Sequence, residues 1–215
     1  MKCKIILLFF VFVAIIAYVA GYAAEGGEEK IPGFVPDAPN SAPLVIDVPV
    51  YKDGAYWVYD YQVRRPGDPV FDYYNTARTK DDVYRVEIKG GEIVNEFASV
   101  SGGLTVYDPN LPQHKFRQWY KFPLKVGAQW DFRYHDGRAK RWVYPKVEVS
   151  RQGTFTFGTE KLRVLELTLT SERETATYLF APTLGAVVAA YVEIWLNGTL
   201  INRQKITLIE HGGTK

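Results

Sequence analysis

The chain is nearly free of sulfur: its only cysteine is Cys3 and its only methionine is Met1. Everything past the first residues lacks a thiol, which excludes disulfides, cysteine-ligated zinc and cysteine nucleophiles there. Histidine is scarce too. His114, His135 and His211 stand far apart, no two at metal-ligand spacing, so no metal site is expected and each reads as a surface side chain. There is no G-x-G-x-x-G loop, and Ser99, Ser101 and Ser150 lack a G-x-S-x-G frame. Asp81-Asp82 and Glu172/Glu174 come close enough in sequence to be weighed as acid–base pairs. Neighbours in a strand or turn point apart, however. The expectation is a non-enzymatic chain with no catalytic residues and no cofactor; a hydrolase with dispersed carboxylates is the remote alternative.

An excess of one charge is also missing. The formal +2 comes from Lys2 and Lys4, and beyond Ala23 the 24 basic and 24 acidic residues cancel. A nucleic-acid binder carries a basic excess or stripe. The nearest approach is Arg138-Ala139-Lys140-Arg141, which reads as a solvated loop, so no nucleic-acid partner is expected. Past residue 24 no stretch shows a helical period.

What the chain does have begins at its start. Lys2 and Lys4 precede an unbroken apolar run, Ile5–Ala20, closed by Gly21-Tyr22-Ala23-Ala24. A basic region, an apolar core and a small-residue end make a secretory signal peptide, residues 1–23, cleaved after Ala23 or Ala24. The alternative is an uncleaved anchor, since twenty residues at about 1.5 Å each span about 30 Å. Either way the positive start stays in the cytoplasm and residues 25–215 are translocated. The expected location is periplasmic, cell-surface or secreted. Membrane contact is expected only through residues 1–23.

Residues 24–50 are Gly- and then Pro-rich, with Pro32, Pro36, Pro39, Pro43 and Pro49. Repeated proline favours unpaired, extended backbone, so this stretch reads as a flexible linker, with Leu44–Val48 able to pack on a domain edge. Residues 51–211 read as one β domain and 212–215 as a disordered tail. Trp57, Tyr59, Tyr61 and Val63 alternate on one face, as do Tyr84, Val86 and Ile88, then Leu165, Leu167 and Leu169. Lys89-Gly90-Gly91-Glu92 and Asn197-Gly198 mark hairpins. The fold class expected is all-β: an antiparallel meander forming a strongly curved sheet, a barrel or two packed sheets.

A motif recurs 73 residues apart. Gly54-Ala55-Tyr56-Trp57-Val58-Tyr59-Asp60-Tyr61 aligns with Gly127-Ala128-Gln129-Trp130-Asp131-Phe132-Arg133-Tyr134. In the second copy Trp130, Phe132 and Tyr134 share one face, and Gln129, Asp131, Arg133 and His135 the other. The rings form either a platform for a sugar or apolar ligand, or a pair of plugs for the core. The plug needs no further purpose, since each buried aromatic removes about 150–250 Å² from water.

Phe122-Pro123-Leu124-Lys125-Val126-Gly127-Ala128-Gln129-Trp130 resembles the F-P-L-x-V-G-x-x-W signature of a loosely defined family of uncharacterised exported bacterial proteins. Gly54–Tyr59 is similar to their opening strand. Tyr178-Leu179-Phe180-Ala181-Pro182-Thr183-Leu184-Gly185 resembles their late aromatic-x-x-x-P-x-x-G motif, with Leu179 where Trp is common. The resemblance implies an envelope location and a curved β fold, and no catalytic residues. Pro123, Gly127, Pro182 and Gly185, like Gly54, Asn197 and Gly198, read as turn formers.

The leading functional expectation is therefore an exported envelope protein that binds an apolar or amphipathic ligand, such as a lipid, or another envelope protein. The alternative is a carbohydrate or cell-wall binding module. Candidate contact aromatics are Trp57, Tyr59, Trp119, Tyr120, Trp130, Trp142 and Tyr144. Trp119, Tyr120, Trp142 and Tyr144 are flanked by Arg117, Lys121, Arg141 and Lys146 and are expected to reach solvent.

Overall fold

Alternating apolar and polar residues with Gly-marked turns build strands, and among the described residues there is no helix. The structure, a computed structural model, describes residues 31–65, 83–90, 92–94, 119–136 and 140–213. The expected signal peptide, His114 and Asp81-Asp82 lie outside them. Residues up to Pro32 form a unit of their own; the sheet belongs to the second unit, from Gly33 onward.

The strands are β1 (Phe34–Pro36), β2 (Val45–Ile46), β3 (Tyr56–Arg64), β4 (Val83–Lys89), β5 (Glu92–Val94), β6 (Leu124–Lys125) and β7 (Gln129–Asp131). Then follow β8 (Tyr134–Asp136), β9 (Arg141–Val143), β10 (Lys146–Phe157), β11 (Glu160–Thr170), β12 (Glu174–Ala181), β13 (Ala186–Leu196) and β14 (Thr199–Gly212). One ten-stranded sheet runs β1-β10-β11-β12-β13-β14-β3-β4-β5, with β7 also paired to β10; β2-β6 and β8-β9 are two-stranded ribbons. The pairings are antiparallel.

The sheet is not a closed barrel, which corrects one of the three expected forms. The outer edge of β10 carries β7 at Lys146–Glu148 and β1 at Gly153–Phe155, and β5 at the far end pairs, among the described residues, only with β4.

Residues directly opposite across a pair share a face. One row therefore crosses six strands: Val149, Leu167, Tyr178, Ala190, Ile206 and Tyr61. Apart from Tyr61 these are buried, and each large side chain so sequestered stabilises the fold by about 1.5–3 kcal/mol. The neighbouring row on the opposite face is Glu148, Thr168, Thr177, Tyr191, Lys205 and Gln62, polar throughout.

Register shifts interrupt β10 at Val149/Arg151, β12–β13 at Leu179/Phe180 and β14–β3 at Leu208/Glu210. Such bulges bend and twist a sheet. The bend is measurable: the rings of Phe157 on β10 and His211 on β14 lie 5.6 Å apart, although four strand steps separate them. A flat sheet would hold those strands about 19 Å apart. His211 Nε2 also comes within 3.7 Å of a Glu160 carboxylate oxygen. His211 is thus a half-buried contact across the bend, not the free surface histidine expected.

The Pro-rich stretch differs from the tether expected of it. From Phe34 to Ile46 it is docked: Phe34 is buried, β1 lies on β10 and β2 on β6. Pro36 ends β1 at the outer edge of the sheet, a position where proline is tolerated. The Gln152 side chain clips the intervening loop: its Oε1 accepts the Leu44 N–H (2.7 Å) and its amide donates to Asp37 (3.0 Å) and to the Ala42 carbonyl (2.8 Å).

The sequence repeat is a structural repeat. Gly54 and Gly127 have φ of 82° and 83°. Ala55 and Ala128 each donate to the carbonyl three residues back, Lys52 (3.1 Å) and Lys125 (3.0 Å). Gly54 N–H bonds the Ile88 carbonyl and Ile88 N–H the Ala55 carbonyl; Gly127, Val149 and Ala128 repeat that exchange. Trp57 then faces Val86 and Trp130 faces Val147. The partner strands correspond as well, Arg85-Val86-Glu87-Ile88 against Lys146-Val147-Glu148-Val149.

Candidate functional site

In the second copy the strand continues past the sheet. β7 pairs with β10 through Asp131↔Lys146, Phe132 N–H donates to the Pro145 carbonyl (3.2 Å), and β8 pairs with β9 from Tyr134↔Val143 onward. All three obey one register, so residues 129–136 and 141–148 are the two arms of a single hairpin whose base belongs to the main sheet and whose far end is β8-β9.

The two faces of this hairpin differ completely. Trp130, Tyr134, Val143 and Val147 are buried. Gln129, Asp131, Arg133 and His135 are on the solvent side, as are Trp142, Tyr144, Lys146 and Glu148 opposite them. Trp142 is 49% and Tyr144 63% accessible, high values for such large rings. His135 meets the Trp142 ring edge-on at 5.5 Å, and the Arg133 guanidinium carbon lies 5.2 Å from that ring's centre. Cation and ring thus hold each other in place on the outer face. At the hairpin's side Arg141 pairs with Glu172 (3.4 Å), fixing β9 to the β11–β12 turn.

The other candidate aromatics are elsewhere. Trp57 and Tyr59 have no accessible surface, and Trp119, Tyr120 and Trp130 are buried. For Trp119 and Tyr120 this corrects the expectation of solvent exposure drawn from the charges beside them. Trp119 packs on Phe132 (5.4 Å) and Tyr178 (5.9 Å), and Tyr120 on Phe180 (5.1 Å) and Phe122 (5.9 Å). They cover the apolar face of β12 while the adjoining Lys121 is exposed. Tyr51 completes the block: its ring meets Trp57 edge-on at 5.4 Å and its hydroxyl donates to the Gly185 carbonyl (2.6 Å). Burial pushes the Tyr59 and Tyr120 hydroxyls well above the usual phenol range, and the proximity of Tyr51 adds to the effect in both.

The turn formers sit at turns. Asn197 and Gly198, with φ of 51° and 78°, make the two-residue link between Leu196 and Thr199. Pro182 and Gly185 close the β12–β13 turn, and Pro123 precedes β6 after a cis bond to Phe122. Among the described residues no cluster of His, Cys, Asp and Glu is arranged to hold a metal. Glu172 faces Arg141 in solvent whereas Glu174 is buried, so this pair does not converge on one site.

In the sequence Arg133 and His135 are only the polar side of a strand; their partnership with Trp142 depends on the hairpin register. A second unanticipated group is the Glu166 carboxylate, buried on β11. It accepts from Ser150 Oγ (2.6 Å) and from both Nε (3.0 Å) and Nη2 (2.6 Å) of Arg151 at the β10 bulge. That is a structural pairing, closed on itself, with Arg151 lying 5.4 Å from the Phe34 ring. Compared with protein-family models, curated proteins and solved structures, the chain has no significant match.

Proposed function

We propose that the chain is an exported, non-enzymatic envelope protein that binds another envelope component through the outer face of the 129–148 hairpin. One observation carries this reading: Trp142 and Tyr144 stay exposed on a ribbon whose other face is locked into the core. Leaving two large rings in water forgoes stabilisation that burial would supply. The hairpin register holds them there together with Arg133 and His135, which is how binding faces combine an aromatic anchor with polar neighbours. Export rests on the sequence of residues 1–23. Internal carriage of an apolar ligand receives less support, because Trp119, Tyr120, Phe122 and Phe132 fill the space over β12.

The test is site-specific photo-crosslinking in intact envelopes. A crosslinking residue at position 142 or 144 is expected to give a discrete adduct, and one at the exposed Thr156, at the other end of β10, none. Equal labelling at all three positions, or none at any, rejects the reading.

A further inference from the structure

We infer that residues 33–46 are an exchangeable arm, and that two copies of this chain dimerise by laying their arms on each other's β10. The groove that receives the arm is shaped for it. Gly153 has no side chain, and a Cβ there would strike the Val35 carbonyl oxygen and come within 2.6 Å of the Phe34 ring. That ring is buried. Asp37 N–H donates to the Gln152 carbonyl (3.0 Å), Thr156 N–H donates to the Gly33 carbonyl (3.0 Å), and the Asp37 carboxylate meets Arg163 at 2.6 Å. Each of these contacts is the same whichever copy supplies the arm.

The link between arm and body favours the second copy. Ile46 is held opposite Leu124 in the β2-β6 ribbon, and Tyr51 is held by the bond from its hydroxyl to the Gly185 carbonyl (2.6 Å). Between them residues 47–50 belong to no strand. This hinge is apolar yet wet: Val48 is exposed and Val50 is 93% accessible. Val35 and Val45 on the arm, and Val126 just after β6, are exposed too. Most of the exposed large hydrophobic side chains among the described residues therefore lie on the arm, its hinge or the strand beside it. Valine suits extended, half-buried backbone, and apolar surface concentrated in this way marks a contact. Pro49 fixes φ at about −65°, a value of extended chain. In an exchanged pair the two hinges run past each other about a two-fold axis, so the valines of one meet those of the other. An unrelated partner would need its own matching apolar strip, whereas a second copy brings it by symmetry. Exchange keeps every arm contact and adds the hinge contact, which is why swapping an identical element costs little.

Cys3 is the only thiol of the chain, so the test uses the full-length chain with Cys3→Ser, Val35→Cys and Thr154→Cys. Positions 35 and 154 stand directly opposite in the β1–β10 pair. Opposite Cα atoms of an antiparallel pair lie about 4.5–5.5 Å apart, within reach of a disulfide. The chain is refolded from urea in mild detergent over a hundredfold range of concentration, oxidised and run on non-reducing gels. A disulfide within one chain reports an arm docked on its own body; one between chains reports an exchanged arm. A covalent dimer is expected whose share rises about tenfold over that range. Val48→Ser with Val50→Ser is expected to lower that share severalfold and to leave the internal disulfide intact. The single-cysteine variants are expected to give no comparable dimer. Internal disulfides alone at every concentration overturn the inference. So do dimers as abundant from Thr154→Cys alone, which would mean β10 edges meeting each other, dimers indifferent to the valine substitutions, or no disulfide of either kind.

Discussion

Gly54 and Gly127 occupy equivalent corners of two copies of one backbone frame, with φ values of 82° and 83° and the same hydrogen bonds on either side. A Cβ at either position would meet nothing within 4 Å, so only the left-handed backbone opposes a side chain there. Gly54→Ala and Gly127→Ala are each expected to cost about 1–2 kcal/mol in denaturant unfolding. Gly153 is the contrast. A Cβ there would strike the Val35 carbonyl oxygen and, at 2.6 Å, the Phe34 ring. Gly153→Ala should therefore expel β1, exposing Phe34. Markedly unequal costs at Gly54 and Gly127 would refute their equivalence.

The Glu166 side chain is 6% accessible, and its carboxylate takes hydrogen bonds from Arg151 and Ser150. Removing Arg151 leaves a buried charge with one partner fewer. Because Arg151 is itself half exposed, the expected loss for Arg151→Ala is about 1.5–3 kcal/mol, below that of a fully buried pair. Glu166→Leu combined with Arg151→Met should recover much of it. A double-mutant cycle with no coupling between the two positions would show the pair to be inert.

Tyr59 and Tyr120 keep their protons to higher pH in the fold than in the unfolded chain, where tyrosine ionises near 10. Their contribution is complete below about pH 10 and is lost as pH rises through the folded values. Above pH 10 each should lower stability by about 1.4 kcal/mol per pH unit. Tyr59→Phe removes one such share. Urea melts between neutral and strongly alkaline pH read the slope directly, and an unchanged slope in the variant contradicts the assignment.

Gln152 holds the loop between β1 and β2 by three side-chain hydrogen bonds, and Arg163 adds an ion pair to Asp37 at 2.6 Å. Gln152→Ala should release residues 37–44 without unfolding the sheet. Limited proteolysis is expected to cut that loop at least several times faster, with Tm lowered by only a few degrees. Equal cleavage rates would mean that β1 and β2 alone hold the segment.

Local signals are readable in the chain. The alternation Trp130, Phe132, Tyr134 against Gln129, Asp131, Arg133, His135 marks the two faces of the hairpin, because side-chain direction in a strand depends only on parity. Asn197-Gly198 marks the β13–β14 turn because few residues accept φ > 0. Relationships between distant segments escape such patterns. Lys121 makes Trp119 and Tyr120 look exposed, yet a charged residue tells nothing about which surface its neighbours cover. Five prolines make residues 24–50 look free, yet one short edge strand and one glutamine dock Phe34–Ile46. The contact of His211 with Phe157 and Glu160 follows from bulges that no local pattern announces, and the pairing of Arg133 and His135 with Trp142 requires the register.

β14 lies between β13 and β3. The strand nearest the end of the chain is thus the keystone that joins β10–β13 to β3–β5. Until Thr199–Gly212 arrives, β3 lacks its neighbour on one side. Mating of the two halves is then an event that follows synthesis of β14, and the exposed edges of the waiting halves mark the interval in which the domain is most open to chaperones, proteases and its own neighbours.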